Sequence, residues 1–247
     1  MNKQGLISIF LCLSFLSACS GSSGQVHTFD VYDGLLKKHV SYRDVKGDKY
    51  AVVDYNTWGK DGKSIEALQL LLTSHPESLS GIEKMVFWIN AYNLLTIDLI
   101  VKNNETKSIN NLKKWGRSPW KSHSWKIGGK SYTLDEVEHK ILRQMGDPRI
   151  HFAIVCASMS CPDLRAEAYS VVKLESQLDD QTRTFLNNKS KGFLKTAKGL
   201  KVSEIFNWFG GDFGGKEGVV KFVEKYQGSL NGNKITYFEY DWGLNGV

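Results

Sequence analysis

Apolar residues recur at helical spacing in five stretches of the chain. Phe29 to Val40 (FDVYDGLLKKHV) spaces them as a short helix. In IEALQLLLTSH, Ile65, Leu68, Leu71 and Leu72 fall on one face, with Ser64 placed to cap the start and Pro76 to stop the run. After Ser80, the stretch GIEKMVFWINAYNLLTIDLIVKN is apolar on all sides from Met85 to Val101. A helix of that kind is buried in a core or in a bilayer. Asn90, Asn93 and Asp98 would be costly in lipid, so the pattern predicts a core helix, with Ser80 and Glu83 at capping-box spacing. Leu134 to Met145 (LDEVEHKILRQM) turns Val137, Ile141 and Met145 inward and ends at Gly146-Asp147-Pro148. Leu174 to Leu186 completes the helical set.

Strand signals are shorter. KYAVVDYNTW reads as extended around Val52, Val53 and Tyr55. SWKIGGKSYTL predicts a hairpin turning at Gly128-Gly129, and GFLKTAKGLKV a second one. Ile150 to Cys156 is the most strand-like run, and KITYFEYDWGLN supplies a final strand. Helices and hairpins without regular βαβ alternation predict an α+β fold: one domain with a long buried central helix and a small antiparallel sheet. No internal repeat and no linker interrupts residues 29–247, about 220 residues and enough for a proper core.

The first residues follow a different pattern. Lys3 precedes an apolar run, Leu6 to Leu16, of signal-peptide length and too short to span a bilayer. It ends in Leu16-Ser17-Ala18-Cys19, which resembles the lipobox of bacterial lipoproteins. The resemblance implies a signal peptide over 1–18, a lipid (palmitate) on Cys19 and a flexible tether over 19–28. By the same resemblance, Ser20 after the cysteine implies an outer-membrane lipoprotein facing the periplasm, with the membrane as partner through that lipid. An ordinary secretory peptide cut nearby is the alternative. Hydrophobic content of 41% and charged content of 23% are those of a globular domain. The net charge of +6 is scattered, with no basic stripe, which argues against nucleic acid as a partner.

Of four cysteines, Cys12 leaves with the signal and Cys19 carries the lipid, so Cys156 and Cys161 remain, in RIHFAIVCASMSCPDLR. In a strand, His151 and Cys156 face opposite ways, and Cys156 reads as a small buried hydrophobe. Pro162 and Asp163 put Cys161 at a helix N-terminus, where a thiol ionises more easily. The loop ASMS could return it to His151, making a His–Cys nucleophile. A Cys156–Cys161 disulfide in an oxidising compartment, a zinc clasp and an inert pair stay open beside it. No metal and no cofactor is expected.

Glu138 and His139, adjacent on an α-helix, point apart and are not expected to serve one site, while Arg143 is in reach of either. Glu138 is the first candidate to orient His151 as the third member of a triad. Asn90 and Asn93 share one face of the buried helix, and a buried amide without partners costs about 1–3 kcal/mol. They must pin a loop or polarise a ligand. FNWFGGDFGGKEG places Gly210, Gly215 and Lys216 at phosphate-loop spacing, but Glu217 stands where a hydroxyl should hold magnesium, and Asp212 where phosphate needs bare N–H groups. It reads instead as an aromatic loop, with Trp208 available to a partner.

These segments resemble the bacterial and plant family catalogued as domain of unknown function 547: FWINAYNLLTI (Phe87 to Ile97), LDEVEHKILR, RIHFAIVCASMSCPDLR, IFNWFGGDF (Ile205 to Phe213) and YDWGLN (Tyr240 to Asn245). The order of a buried helix and a histidine-bearing strand is also similar to the papain and transglutaminase-like core. There the helix start carries cysteine, whereas this chain has Ile82, Glu83 and Lys84. The resulting expectation is a cysteine-hydrolase-like site for acyl transfer or amide hydrolysis on a peptide or cell-wall ligand. Its residues would be Cys161 as nucleophile, His151 as base, Glu138 to orient, and Asn90, Asn93, Arg143 and Trp208 to bind. The alternative is a non-catalytic binding or envelope-assembly lipoprotein with the 156–161 disulfide.

Overall fold

The computed structural model describes residues 28–45 and 47–247. The expected signal peptide, lipidated Cys19 and all but the end of the tether lie outside the described residues.

Helix α1 (Asp30–His39) has acidic residues in its first turn and basic ones in its last, as the helix dipole favours. It leads into an antiparallel hairpin of β1 (Val40–Val45) and β2 (Asp48–Val53). Helices α2 (Tyr55–Lys60) and α3 (Gly62–Leu72) follow. Asp61, not Ser64, caps α3, its carboxylate accepting from the Lys63 N–H at 3.0 Å. Leu71 is fully buried, but Ile65 stands in solvent, so the apolar face is narrower than the spacing predicts.

Helix α4 (Gly81–Lys102) is the predicted core helix, buried almost continuously from Met85 to Ile100. Among the described residues it is the one helix long and apolar enough to cross a membrane, and the rest of the fold encloses it. Ser80 makes no side-chain capping bond; the capping box stands instead at Thr133 and Glu136. Helix α5 (Pro119–Ser122) precedes the hairpin of β3 (Ser124–Ile127) and β4 (Lys130–Thr133), which turns at Gly128-Gly129, both at positive φ. Helix α6 (Leu134–Glu136) passes without a break into a π-helical segment, Val137–Leu142, and a 3-10 turn, Arg143–Met145.

The run read as a strand from Ile150 to Cys156 is a helical turn, α7 (Ile150–Ala153), followed by extended backbone at Ile154. Local chemistry explains the difference. Asp147 accepts from the Arg149 N–H at 2.9 Å and Pro148 presets φ, so a turn starts where the apolar run begins. A short run buried on all sides carries no period that separates strand from helix.

Helix α8 (Leu174–Asn187) leads to β5 (Phe193–Thr196) and β6 (Gly199–Val202), then α9 (Ile205–Trp208), a 3-10 turn Gly210–Phe213, α10 (Gly215–Gln227) and β7 (Lys234–Tyr237). β5 and β6 pair antiparallel, but β7 joins β6 in parallel, so this sheet is mixed. The fold is α+β, with small separate sheets around one long buried helix.

Two apolar cores meet in the molecule. The larger surrounds α4; the smaller is rich in phenylalanine, with Phe152, Phe185, Phe206 and Phe213. Helix α7 belongs to both, giving Ile150 and Ala153 to the first and Phe152 to the second. The candidate site opens along this seam.

Candidate active site

A cavity of about 250 Å³ lies at the seam, lined by Tyr92 of α4, Trp120 of α5, Glu138 and His139 of the π-helical segment, His151 of α7, both cysteines, and Trp208, Tyr240 and Trp242. Asn93 sets the position of its sulfur-bearing wall. Its amide donates to the Ala153 carbonyl at 2.9 Å and accepts from the Val155 N–H at 2.8 Å, as a neighbouring strand would. Asn90 holds Tyr169 by the same pair of bonds, at 2.8 and 2.9 Å. Both asparagines therefore pin loops, and neither lines the cavity.

The segment after Asn93's anchor carries Cys156. Ala157 sits at φ 61°, a conformation a non-glycine residue keeps only when its surroundings hold it. The C-terminal segment does so: the Met159 N–H donates to Gly243 O at 2.8 Å, and the Asn245 N–H to Ala157 O at 3.1 Å. From the other side, the buried Lys191 ammonium donates to Cys161 O at 2.7 Å, Met159 O at 3.2 Å and Asp163 Oδ1 at 2.8 Å.

Both cysteines are free thiols in the structure. Cys161 is not at a helix N-terminus, because the chain after Pro162 is irregular. It is buried, and its sulfur accepts the Cys156 N–H at 2.9 Å. Cys156 is half-buried at the cavity wall, its sulfur 3.2 Å from Ser158 Oγ and 3.3 Å from Tyr240 Oη. Burial alone raises the Cys156 thiol pKa, but hydrogen bonds from Cys161, Ser158 and Tyr240 outweigh it and bring the value below the ordinary thiol range. Burial and the neighbouring Cys156 push Cys161 the opposite way.

His151 makes no hydrogen bond to either sulfur among the described residues. Its Nε2 lies 2.7 Å from Asp212 Oδ2, and its ring stacks on Phe209 with centroids 4.2 Å apart. Arg143 clamps the same carboxylate, Nε to Oδ2 at 2.6 Å and Nη2 to Oδ1 at 2.7 Å. The Arg143 guanidinium, against some burial, holds Asp212 at about 2, while burial lowers His151 to about 4 despite its carboxylate partner. At neutral pH this is a neutral imidazole on an ion pair. Asp212 thus occupies the orienting place expected of Glu138.

Glu138 instead accepts from Tyr92 Oη at 3.2 Å, and Trp120 Nε1 donates to that hydroxyl at 3.1 Å. Burial raises Glu138 to about 7, opposed by the Tyr92 bond and Arg143 and aided by Cys156. His139 also lines the cavity, 3.1 Å from Arg143 Nη1, so adjacent positions serve one site after all. A π-helical turn, common at functional sites, replaces the α-helical geometry on which the opposite expectation rested.

Aromatic rings close the far wall. Trp208 packs on Tyr240 and Trp242 at 4.7 and 5.8 Å, and Trp242 meets Trp120 at 6.0 Å. Asp212, Ser158, Tyr92 and Tyr240 are site residues that the sequence reading passed over. An acid amid the aromatics of IFNWFGGDF was the one signal for Asp212; nothing in spacing announced Tyr240, 84 residues from the cysteine it contacts. Among the described residues, no group of three or more His, Cys, Asp or Glu side chains converges as metal ligands would.

Fold and cavity together define an α+β protein with a thiol-bearing, aromatic-walled cleft. Residues 76–186 match the family described as Protein of unknown function, DUF547. Glu138, Arg143, His151 and both cysteines lie within the match; Trp208, Asp212, Tyr240 and Trp242 lie beyond it. No curated protein and no solved structure matches the chain.

Proposed function

We propose that the chain is a lipid-anchored protein of the bacterial cell envelope whose cleft carries out cysteine-dependent acyl transfer or amide hydrolysis. The nucleophile is Cys156 rather than Cys161. One observation carries the reading: a sulfur at the cavity wall, 3.2 Å from the Ser158 hydroxyl and 3.3 Å from that of Tyr240, in a cavity it shares with the buried Glu138 carboxyl group. In the reaction the Cys156 thiolate attacks the acyl carbon, and the carbonyl electrons move to oxygen. Collapse of that adduct forms a thioester and expels the amine, which takes the proton of neutral Glu138. Water then attacks the thioester, giving its proton to the Glu138 carboxylate as the thiolate leaves. Trp208, Tyr240 and Trp242 offer flat apolar faces to a peptide or sugar ring.

A second reading, a non-catalytic binding or envelope-assembly lipoprotein, is favoured by the same aromatic wall, since stacking needs no chemistry. An activated acetyl ester separates the two. The first reading predicts one acetyl group on Cys156 by intact mass and peptide mapping, absent in Cys156→Ala. Acetylation equal in both proteins, or none, would leave only the binding reading. The anchor is tested by metabolic palmitate labelling: label lost in Cys19→Ser supports it, and label absent from the unsubstituted chain removes it.

A further inference from the structure

Acyl transfer uses one sulfur, yet the site holds two. The Cys161 sulfur accepts the backbone N–H of Cys156 at 2.9 Å, which holds it next to the Cys156 residue. Both sulfur-bearing residues line the cavity, but Cys156 is only half-buried, whereas Cys161 is 4% exposed. One reactive thiol open to small molecules, with a second shielded thiol beside it, is the arrangement of an oxidisable and a resolving cysteine.

We propose that Cys156 is a site of oxidation by hydroperoxides and that Cys161 is its resolving thiol, so that the cleft carries a reversible dithiol–disulfide couple. In the first step the Cys156 thiolate attacks the terminal oxygen of a hydroperoxide. The O–O bond breaks, the sulfur becomes sulfenic acid, and the departing alkoxide or hydroxide takes a proton from water. In the second step the Cys161 thiol attacks that sulfur, the S–O bond breaks, and the hydroxyl leaves with the thiol proton as water. An external dithiol reverses the couple by two exchange steps. The loop is built to register the change. Ala157 is held at positive φ, and Ser158, inside the ring the new bond would close, shares hydrogen bonds with Tyr240 and Cys156. Oxidation therefore removes the nucleophile and disturbs the aromatic wall at Tyr240 together.

The couple does not depend on the acyl-transfer reading, and the test keeps them apart. The reduced full chain is treated with equimolar hydrogen peroxide in the presence of dimedone, then digested and mapped. The expected result is a 156–161 disulfide with little dimedone adduct in the unsubstituted chain, and a dimedone adduct on Cys156 in Cys161→Ala and Cys161→Ser. The mapping of the unsubstituted chain stands even if both variants misfold. Stable sulfenic or sulfinic acid on Cys156 in the unsubstituted chain would overturn the proposal, as would thiols that react no faster than free cysteine. A disulfide formed by a protein that the acetyl ester does not acylate would remove the hydrolase reading and leave the couple standing. Acylation without a disulfide would do the reverse.

Discussion

Glu138 is a buried acid whose proton the fold retains to about 7, against 4.5 in the open chain. Between those values the folded state binds the proton more tightly than the unfolded one. Stability therefore falls as pH rises through the window from 4.5 to 7, by on the order of 3 kcal/mol at its end. Glu138→Gln removes the ionisation. In urea titrations this variant should gain on the unsubstituted protein between pH 5 and pH 8, and parallel curves would contradict the burial described. Tyr240 works on the sulfur beside it. Tyr240→Phe deletes a hydroxyl 3.3 Å from Cys156, so the thiol should ionise at higher pH and alkylate several-fold more slowly near pH 7. An unchanged rate would mean that Ser158 and Cys161 suffice. At this scale the sequence was half legible. His151, Glu138, Arg143 and the cysteine pair could be singled out because ionisable residues amid apolar runs are conspicuous. The choice between the sulfurs, and Asp212 as the partner of His151, depended on contacts made across 61 residues or more of chain.

The elements that hold these residues were read with uneven success, for a common reason. Long patterns such as α4 and α8, and the hairpins β3–β4 and β5–β6, carry their own period and were legible, whereas the β1–β2 hairpin was not. Helix α7 was not, because four residues contain barely one turn and both of its sides are covered. The π-helical segment was also hidden, since one widened turn leaves Val137 facing inward as an α-helix would. Asn90 and Asn93 show what element placement does for the site. Each satisfies a backbone N–H and a carbonyl, so Asn90→Ala and Asn93→Ala should cost similar stability, about 2–4 kcal/mol in chemical denaturation. Only Asn93 braces the backbone entering Cys156. Alkylation of Cys156 should therefore slow in Asn93→Ala and hold in Asn90→Ala, and equal rates would show that the loop needs no such brace.

The whole molecule is two cores sharing one helical turn, with a cleft at their seam. That arrangement explains why the site draws on residues from Tyr92 to Trp242. It also makes the cleft depend on distant staples. Lys191 and Asp163 are a buried ion pair that also binds the Cys161 and Met159 carbonyls and the Ala51 N–H. Removing the cation strands a buried carboxylate, so Lys191→Met should cost about 3–5 kcal/mol in equilibrium unfolding, and a loss below about 1 would contradict the pairing. Everything proposed for the cleft turns on which sulfur is the thiolate. The most direct measurement is the pH dependence of iodoacetamide alkylation of the reduced chain, with each cysteine followed by peptide mapping. Cys156 should react first, with a midpoint about one unit or more below the ~8.5 of a free thiol, while Cys161 stays unmodified until the protein unfolds. Alkylation of Cys161 ahead of Cys156, or a midpoint for Cys156 at or above that of a free thiol, would contradict the account.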